Sequence, residues 1–206
     1  MWIDKFLGRP AEPDLDLSPK PAAAEDAFWS SLRNGSLTCS CCDMPVRDLL
    51  SLAYPAPGIW TQEAAPQDNR AFSIEAPAIL TDDFCALDGH FFVRAVMEFP
   101  LTGHDTPLLI GVWGTLSRPN FETFYRDFGT QAQGRLPMMF SWLSNPVPPG
   151  GKVPEPCALQ PLAGTMRPRM MFADPQNPWG IAQIDGLDAT QLCDMLAKFG
   201  HIVKET

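Results

Sequence analysis

Residues 85–100 read CALDGHFFVRAVMEFP, and residues 91–99 within them give the clearest strand pattern in the chain. Side chains alternate between the two faces of a strand, so one face of this segment is wholly apolar. That face carries Phe91, Val93, Ala95, Met97 and Phe99, and the other carries Phe92, Arg94, Val96 and Glu98. A turn at Asp88-Gly89 precedes the strand, and Pro100 ends it because proline has no N–H to donate. We therefore expect a central antiparallel strand with its apolar face on the core.

The composition restricts the classes of function. The chain has 206 residues, which is enough for one domain with a core, and its 22 prolines favour short elements joined by proline-rich loops. The formal net charge is −9. A surface this negative repels phosphate backbones and anionic lipid headgroups. We therefore expect another protein, rather than nucleic acid or a membrane, as the partner.

The compartment follows from the missing targeting signals. No apolar run reaches the length of about 20 residues that spans a bilayer, and residues 1–10 lack the pattern of a secretory signal. We therefore expect a cytoplasmic protein. A reducing compartment would keep the six cysteines as thiols or metal ligands.

The sequence predicts two regions. Residues 1–36 form an acidic, proline-rich leader, in which residues 22–33 have the pattern of a short helix with Phe28, Trp29 and Leu32 on one face. We interpret the leader as a partly flexible tail that docks loosely, and a partner-binding segment is the alternative. Residues 37–206 are expected to form a single domain.

Other patterns supply the partners of the central strand. Residues 108–116 alternate as its antiparallel neighbour, and short strands are expected near residues 138–145 and, at a sheet edge, over residues 166–173. A helix capped by Ser117 carries an aromatic stripe, and a second helix begins at the capping pattern Asp188-Ala-Thr-Gln191. The stripe consists of Phe121, Phe124, Tyr125 and Phe128, and the buried face of the second helix consists of Leu192, Met195, Leu196, Phe199 and Ile202.

These elements together predict an α+β fold, in which an antiparallel β-sheet carries two main helices and long proline-rich loops. The prolines at positions 55 and 57 exclude regular structure from residues 49–60. We expect that segment to lie across the sheet as an irregular apolar strap.

A series of short segments, taken in order, resembles the bacterial domain-of-unknown-function family 2199 over about residues 37–200. The segments are Cys39-x-x-Cys42, YPAPGIW at 54–60, CALDGHFFVR at 85–94, GVWGTLS at 111–117 with Phe121, FSWLSN at 140–145, and Arg167-Pro168. The resemblance implies that the chain would begin its domain with Cys-x-x-Cys-Gly-x-x-His, but Asp43 and Val46 stand at the Gly and His positions. It implies a shared fold and lends no mechanism.

The cysteine pair Cys39/Cys42 is the first candidate site. A Cys-x-x-Cys knuckle places two thiolates on one zinc ion, but a structural zinc site needs four ligands. Cys85 is a candidate third ligand, and His90 or His104 a candidate fourth. The alternative is a decayed site with ordinary thiols, since the expected histidine is missing. The sequence predicts no cofactor other than this candidate zinc ion.

Three further roles come from residue types alone. Cys39 and Cys42 could form a redox pair, and Cys85 with His90 or His104 could form a nucleophile and base. Arg94 and His90 are candidate ligand-binding residues, with a cross-strand ion pair as the simpler role for Arg94. We assign His201 to a favourable charge at a helix end.

The function predicted from these observations is non-catalytic protein binding. No complete catalytic constellation appears, and methionine and aromatic residues suit adaptable contact surfaces. The alternatives are a zinc-knuckle protein, with the site intact or decayed, and a thiol-dependent enzyme that uses Cys85 or the Cys39/Cys42 pair.

Overall fold

The computed structural model describes residues 22–62, 65–147 and 151–204. These residues form four α-helices and eight strands, and all eight strands belong to one sheet. The elements are α1 (Ala22–Asn34), β1 (Ser51–Ala53), β2 (Ala78–Leu80), β3 (Phe84–Leu87), β4 (His90–Leu101), β5 (His104–Leu116), α2 (Arg118–Asp127), β6 (Met139–Leu143), β7 (Glu155–Gln160), β8 (Arg169–Phe172), α3 (Pro178–Asp185) and α4 (Ala189–Lys198). No helix among these is long and apolar enough to cross a membrane.

The β4–β5 hairpin is the centre of the fold. The two strands pair antiparallel, with Phe91 opposite Leu116 and Phe99 opposite Leu108. Phe91 is 5% exposed, and the other odd-numbered side chains through Phe99 are completely buried. The predicted central strand and its apolar face are therefore confirmed. The predicted end at Pro100 is wrong, because β4 continues past a register shift to Leu101, which pairs with His104.

Five strands close into a barrel. β5 pairs with β6, β6 with β7 and β7 with β8, all antiparallel. β8 then returns to pair parallel with β4 through Val96 and Arg169. β1 adds to β5 in parallel, and β3 and β2 extend the sheet from β4.

The predicted α+β fold, an antiparallel sheet with two main helices, is wrong. The sheet is mixed, it closes on itself, and four helices accompany it in the described part of the chain. The physical reason is that closure depends on β6, β7 and β8, which have only 5, 6 and 4 residues. The strand predicted at a sheet edge, β8, is paired on both sides, with β7 and with β4. The sequence could not predict the pairing with β4, because a parallel partner far away in the chain leaves no local signal.

Helices α2 and α4 pack on the core as their patterns predict. Phe121 and Phe124 are completely buried, and the Phe121 ring stacks on Phe91 with centroids 5.0 Å apart. The capping box between Asp188 and Gln191 is present at the start of α4. Ile202 differs from the prediction, because α4 ends at Lys198 and leaves this side chain 60% exposed.

Helix α1 confirms the short helix predicted within the leader. Its Trp29 and Leu32 side chains are buried in the same core as the barrel strands. The Arg33 side chain donates a hydrogen bond of 2.6 Å to the carbonyl oxygen of Gly103 in the β4–β5 turn. Residues 1–21, the rest of the predicted leader, lie outside the described residues.

The segment at residues 54–60 covers part of the outer sheet face as an irregular strap. The prediction that residues 49–60 have no regular structure is wrong at Ser51–Ala53, which form β1 beside β5, because the prolines at 55 and 57 restrict only themselves and the residue before each. Tyr54, Ala56 and Trp60 pack on a small second core made of Leu80, Cys85, Phe92 and Trp113. The indole N–H of Trp113 donates to the carbonyl oxygen of Tyr54 at 3.2 Å. This cover explains why Phe92 is buried although it belongs to the mixed face of β4.

Candidate metal centre

Three cysteines and one histidine converge at one end of the molecule. One donor atom from each of Cys39, Cys41, Cys42 and His201 lies within 4.8 Å of all the others. The Nδ1 atom of His201 is 3.8 Å from the Cys39 sulfur and 3.9 Å from each of the other two sulfurs. The sulfurs of Cys39 and Cys41 are 2.9 Å apart. Three sulfurs therefore surround one imidazole nitrogen.

A tight turn brings the three cysteines together. The backbone N–H of Cys39 donates to the carbonyl oxygen of Met44, and the N–H of Asp43 donates to that of Cys39. Asp43 itself adopts a left-handed conformation with φ of 57°, which aspartate tolerates better than most residues. The turn thus folds residues 39–44 into a knuckle with its thiols close to one another.

The segment that follows α4 delivers His201 to this knuckle. Gly200 has a φ of 84°, and the N–H of His201 returns to the carbonyl oxygen of Leu196, which is a typical helix ending. The chain then pairs with the knuckle, because Ser40 donates to the carbonyl of Ile202 at 2.7 Å and Lys204 to that of Thr38 at 3.0 Å.

An ion pair supports the same junction. The Lys204 ammonium lies 3.0 Å from the Asp43 carboxylate, and both side chains are exposed. A surface ion pair of this kind contributes little stability by itself. The backbone hydrogen bonds are therefore the main contacts that hold the two segments side by side.

The thiols of the cluster differ in their environment. Cys39 is completely buried, whereas Cys41 and Cys42 are exposed. The hydrogen bond from the Cys41 side chain lowers the pKa of Cys39 to about 6, and the same contact raises the pKa of Cys41. One thiolate is therefore favoured at neutral pH, and a thiolate is the form that binds metal.

The donor set fits zinc. Three thiolates and one imidazole are a common ligand set for tetrahedral structural zinc, and soft sulfur ligands disfavour magnesium and calcium. The four protein donors would fill a tetrahedral shell and leave no position for substrate or water. Cys39, Cys41, Cys42 and His201 could therefore hold a metal ion such as zinc.

Only two of the residues predicted as zinc ligands lie together in the structure. Cys39 and Cys42 lie together in the cluster, whereas Cys85 is buried in the second core beneath the strap. Burial raises the pKa of the Cys85 thiol to about 12, which is the condition of an inert thiol. His90 is exposed at the start of β4, and His104 at the start of β5 accepts a hydrogen bond from the N–H of Thr106.

Arg94 lies on the outer face of the barrel. Its guanidinium is 6.0 Å from the centre of the Trp113 ring, and its Nη1 atom donates to the Asp82 carbonyl at 3.4 Å. Glu98 pairs with Arg169 at 2.7 Å rather than with Arg94. The Nε atom of Arg94 is buried and has no hydrogen-bond partner among the described residues. Anion binding by Arg94 and ligand binding by His90 remain predictions.

Sequence reasoning missed two members of the cluster, Cys41 and His201. The run Thr38-Cys-Ser-Cys-Cys-Asp43 offers three thiols, so Cys41 could have been included from sequence. His201 follows Cys41 by 160 residues, and its role depends on a short ladder with the knuckle. No spacing rule in the sequence connects these two segments.

Comparisons with known proteins place the chain in a family. No curated protein and no solved structure matches it. A family model described as "Uncharacterized protein conserved in bacteria (DUF2199)" matches residues 38–187. The match begins directly before the cysteine knuckle, includes strands β1 to β8, and ends before α4 and His201. The matched residues are more than half of the chain, so this protein belongs to domain-of-unknown-function family 2199, as its sequence motifs indicated.

Proposed function

We propose that this protein is a non-catalytic binding domain in which a structural zinc ion joins the knuckle at residues 39–44 to the segment after α4. The observation that carries the proposal is the convergence of Cys39, Cys41, Cys42 and His201. The three cysteines are neighbours in sequence, so the informative member is His201, whose Nδ1 atom lies 3.8 to 3.9 Å from all three sulfurs although His201 follows Cys41 by 160 residues. Two of the three thiols are exposed, so hydrophobic burial does not account for the group.

Zinc at this position would stabilise the fold rather than perform chemistry. Metal ligands must be brought together before they bind, so the binding free energy contributes to the stability of the folded state. The knuckle and the segment after α4 otherwise meet through a few hydrogen bonds and one exposed ion pair. Because the buried face of α4 already holds this helix on the core, the ion would fix the segment after α4 to the knuckle.

Elemental analysis tests the metal assignment. The full-length protein, purified without a metal-affinity tag, should contain about one zinc equivalent per chain. The variants His201→Ala and Cys42→Ala should lose most of it, whereas the control His90→Ala should retain it because His90 lies outside the cluster. A wild-type zinc content below about a tenth of an equivalent would rule out the metal site.

A second observation supports protein binding as the function of the domain. On β6, Phe140 and Trp142 point outward and are 55% and 44% exposed, and their rings meet edge to face at 5.0 Å. Aromatic side chains of this kind are enriched in the cores of protein interfaces and are uncommon in such pairs on free surfaces.

We also propose a reducing, cytoplasmic compartment. The sulfurs of Cys39, Cys41 and Cys42 form no disulfide with one another, although they lie close together around one histidine nitrogen. Closely spaced thiols persist in reducing compartments, whereas oxidising ones convert them to disulfides. The expectation is tested by fractionation of host cells, in which the protein should appear with cytoplasmic marker enzymes and should be absent from extracellular and periplasmic fractions.

A further inference from the structure

Two of the three thiols in the cysteine knuckle lie unusually close together. The sulfurs of Cys39 and Cys41 are 2.9 Å apart, whereas Cys42 meets the cluster through the Nδ1 atom of His201 at 3.9 Å. The distance between the first two sulfurs is shorter than an ordinary non-bonded contact of about 3.5–4.0 Å. Cys39 and Cys41 are therefore the pair whose sulfurs need the smallest movement to form a bond.

Protein contacts hold this pair in place. The backbone N–H of Cys39 donates to the carbonyl oxygen of Met44, and the N–H of Asp43 donates to the carbonyl oxygen of Cys39. The Cys41 thiol donates to the carbonyl oxygen of Gly200 at 3.0 Å. The short distance between the two sulfurs therefore follows from the turn and from its junction with the end of α4.

The other two pairings of the knuckle cysteines are less favourable. Cys41 and Cys42 are adjacent, so a disulfide between them would close a very small ring through their own peptide bond and would strain it. Cys39 and Cys42 have the Cys-x-x-Cys spacing, but redox pairs of that kind are activated where the first cysteine begins a helix. Residues 40–42 form a turn instead.

The exposure of the two sulfurs suits a reaction with an oxidant. Cys41 is exposed, and Cys39 is completely buried beside it. A redox-sensitive cysteine is accessible to the oxidant and has a second, resolving cysteine next to it. Cys41 fits the first role, and Cys39 fits the second.

We propose that hydrogen peroxide oxidises Cys41 and Cys39 to a disulfide and thereby releases zinc from the cluster. This inference rests on the proposed zinc site and adds redox regulation to it. The Cys41 thiolate attacks the peroxide, so that an S–O bond forms, the O–O bond breaks and hydroxide leaves. The Cys39 thiolate then attacks the Cys41 sulfur, forms the S–S bond and displaces a second hydroxide. Two protons from solvent convert both hydroxides to water, and the peroxide gains the two electrons that the sulfurs lose.

The disulfide would leave the metal centre with two donors. A disulfide sulfur carries no negative charge, and the thiolate is the form of cysteine that binds metal. Cys42 and His201 would remain, and together they supply only half of a tetrahedral zinc shell. The knuckle and the segment after α4 would then keep only their hydrogen bonds and the exposed ion pair.

Zinc release from the zinc-loaded, full-length protein tests the proposal. Hydrogen peroxide is added in excess, and a chromogenic zinc indicator follows the free zinc. About one zinc ion should leave for each disulfide that forms, and dithiothreitol with added zinc should restore the bound ion. Differential alkylation with fragment mass spectrometry should locate the disulfide at Cys39 and Cys41 and find Cys42 as a free thiol. Zinc that stays bound, or sulfinic acid at Cys41 without a disulfide, would overturn the proposal.

Two serine variants distinguish the pairings. Cys41→Ser and Cys42→Ser each lack one zinc ligand and keep two thiols of the cluster, so they are compared with each other. Cys42→Ser should form its disulfide at least about ten-fold faster than Cys41→Ser, because only Cys42→Ser keeps the close pair. Equal rates, or a faster reaction in Cys41→Ser, would contradict the pairing. The buried Cys85 and Cys157 should stay reduced in both variants and serve as internal controls.

The zinc site and its redox regulation fail in different ways. The zinc content before peroxide treatment tests the site, so a protein that never contains zinc overturns both proposals. A zinc-loaded protein whose zinc survives the peroxide treatment overturns the redox regulation alone.

Discussion

At the scale of single residues, the metal centre depends on a histidine that sequence reasoning assigned to another role. His201 would be the nitrogen donor of the proposed zinc site, and Gly200 lets the chain turn toward the knuckle. Cys39 and Cys42 were predictable because their spacing is that of a zinc knuckle. His201 was not, because its position follows from the packing of α4 and a ladder between distant segments.

Substitution of Gly200 tests how His201 is placed. Gly200→Ala forces a residue with a Cβ into a φ of 84°, although no atom lies within 4 Å of that Cβ. The strain should cost about 1 kcal/mol of stability, and it should also weaken zinc binding because His201 shifts. Gly89→Ala is the matched control, since Gly89 has a φ of 78°, an open surrounding and no role in the cluster.

The outcome of the glycine comparison is read from thermal melts and from competition with a zinc chelator. Both variants should lose similar stability, and only Gly200→Ala should release zinc more readily. Equal zinc affinity in the two variants would show that the path of the chain through Gly200 does not position the ligand.

Cysteine labelling tests the thiol-enzyme alternative. Cys85 and Cys157 are buried, and burial raises the pKa of each thiol to about 12. Iodoacetamide at neutral pH should therefore leave both unmodified in the folded protein and modify both after unfolding. Rapid modification of Cys85 in the folded state, seen by peptide mass spectrometry, would restore it as a candidate nucleophile.

The raised pKa values of the buried thiols should also lower the stability of the fold at alkaline pH. The ordinary thiol pKa is about 9, so between about pH 9 and 12 the unfolded state releases the Cys85 proton while the folded state retains it. The unfolded state then binds fewer protons, and stability falls as the pH rises. Urea titrations should show this decline, and Cys85→Ala should reduce its slope. An unchanged slope contradicts burial of the thiol.

At the scale of elements, the hairpin and two helices follow from local patterns. The alternation over residues 91–99 and the aromatic stripe of α2 each depend on residues a few positions apart, and both are confirmed. Strands β6, β7 and β8 carry much weaker patterns because they have only 5, 6 and 4 residues, and Pro156 lies within β7. The parallel contact between β4 and β8 joins segments about 70 residues apart, so no local rule predicts it.

Phe84 on β3 joins the sheet to α2 and gives a test of this packing. Its ring contacts Phe121, Phe124 and Phe128, and the residue is 1% exposed. Phe84→Ala should lower the free energy of unfolding by about 3 to 5 kcal/mol, because it leaves a cavity in the core. The exposed Phe140→Ala is the control and should change stability by less than about 0.5 kcal/mol. Similar losses in urea denaturation for both variants would contradict the assigned core.

At the scale of the whole molecule, the proposed zinc ion would strengthen the junction between two segments that a few backbone hydrogen bonds already hold side by side. The family match covers the knuckle and the barrel but ends at residue 187, before His201. Closure of the barrel is the feature that sequence reasoning missed most completely.

Metal removal tests the linkage between distant segments. Treatment of the zinc-loaded protein with a strong chelator should accelerate amide hydrogen exchange in residues 38–46 and 196–204. Strands β4 and β5 should keep their protection, because their hydrogen bonds do not involve the cluster. Exchange that accelerates uniformly over the chain, or not at all, would show that the site does not act as a local clasp.

X-ray absorption at the zinc K-edge tests the central claim most directly, on full-length protein purified without a metal-affinity tag. Cys39, Cys41, Cys42 and His201 should give a first shell of three sulfurs at about 2.3 Å and one nitrogen at about 2.0–2.1 Å. In His201→Ala most of the zinc should be lost, and the zinc that remains should lack the nitrogen contribution of the imidazole. A shell of oxygen and nitrogen without sulfur, or a His201→Ala spectrum identical to that of the wild type, would contradict the account.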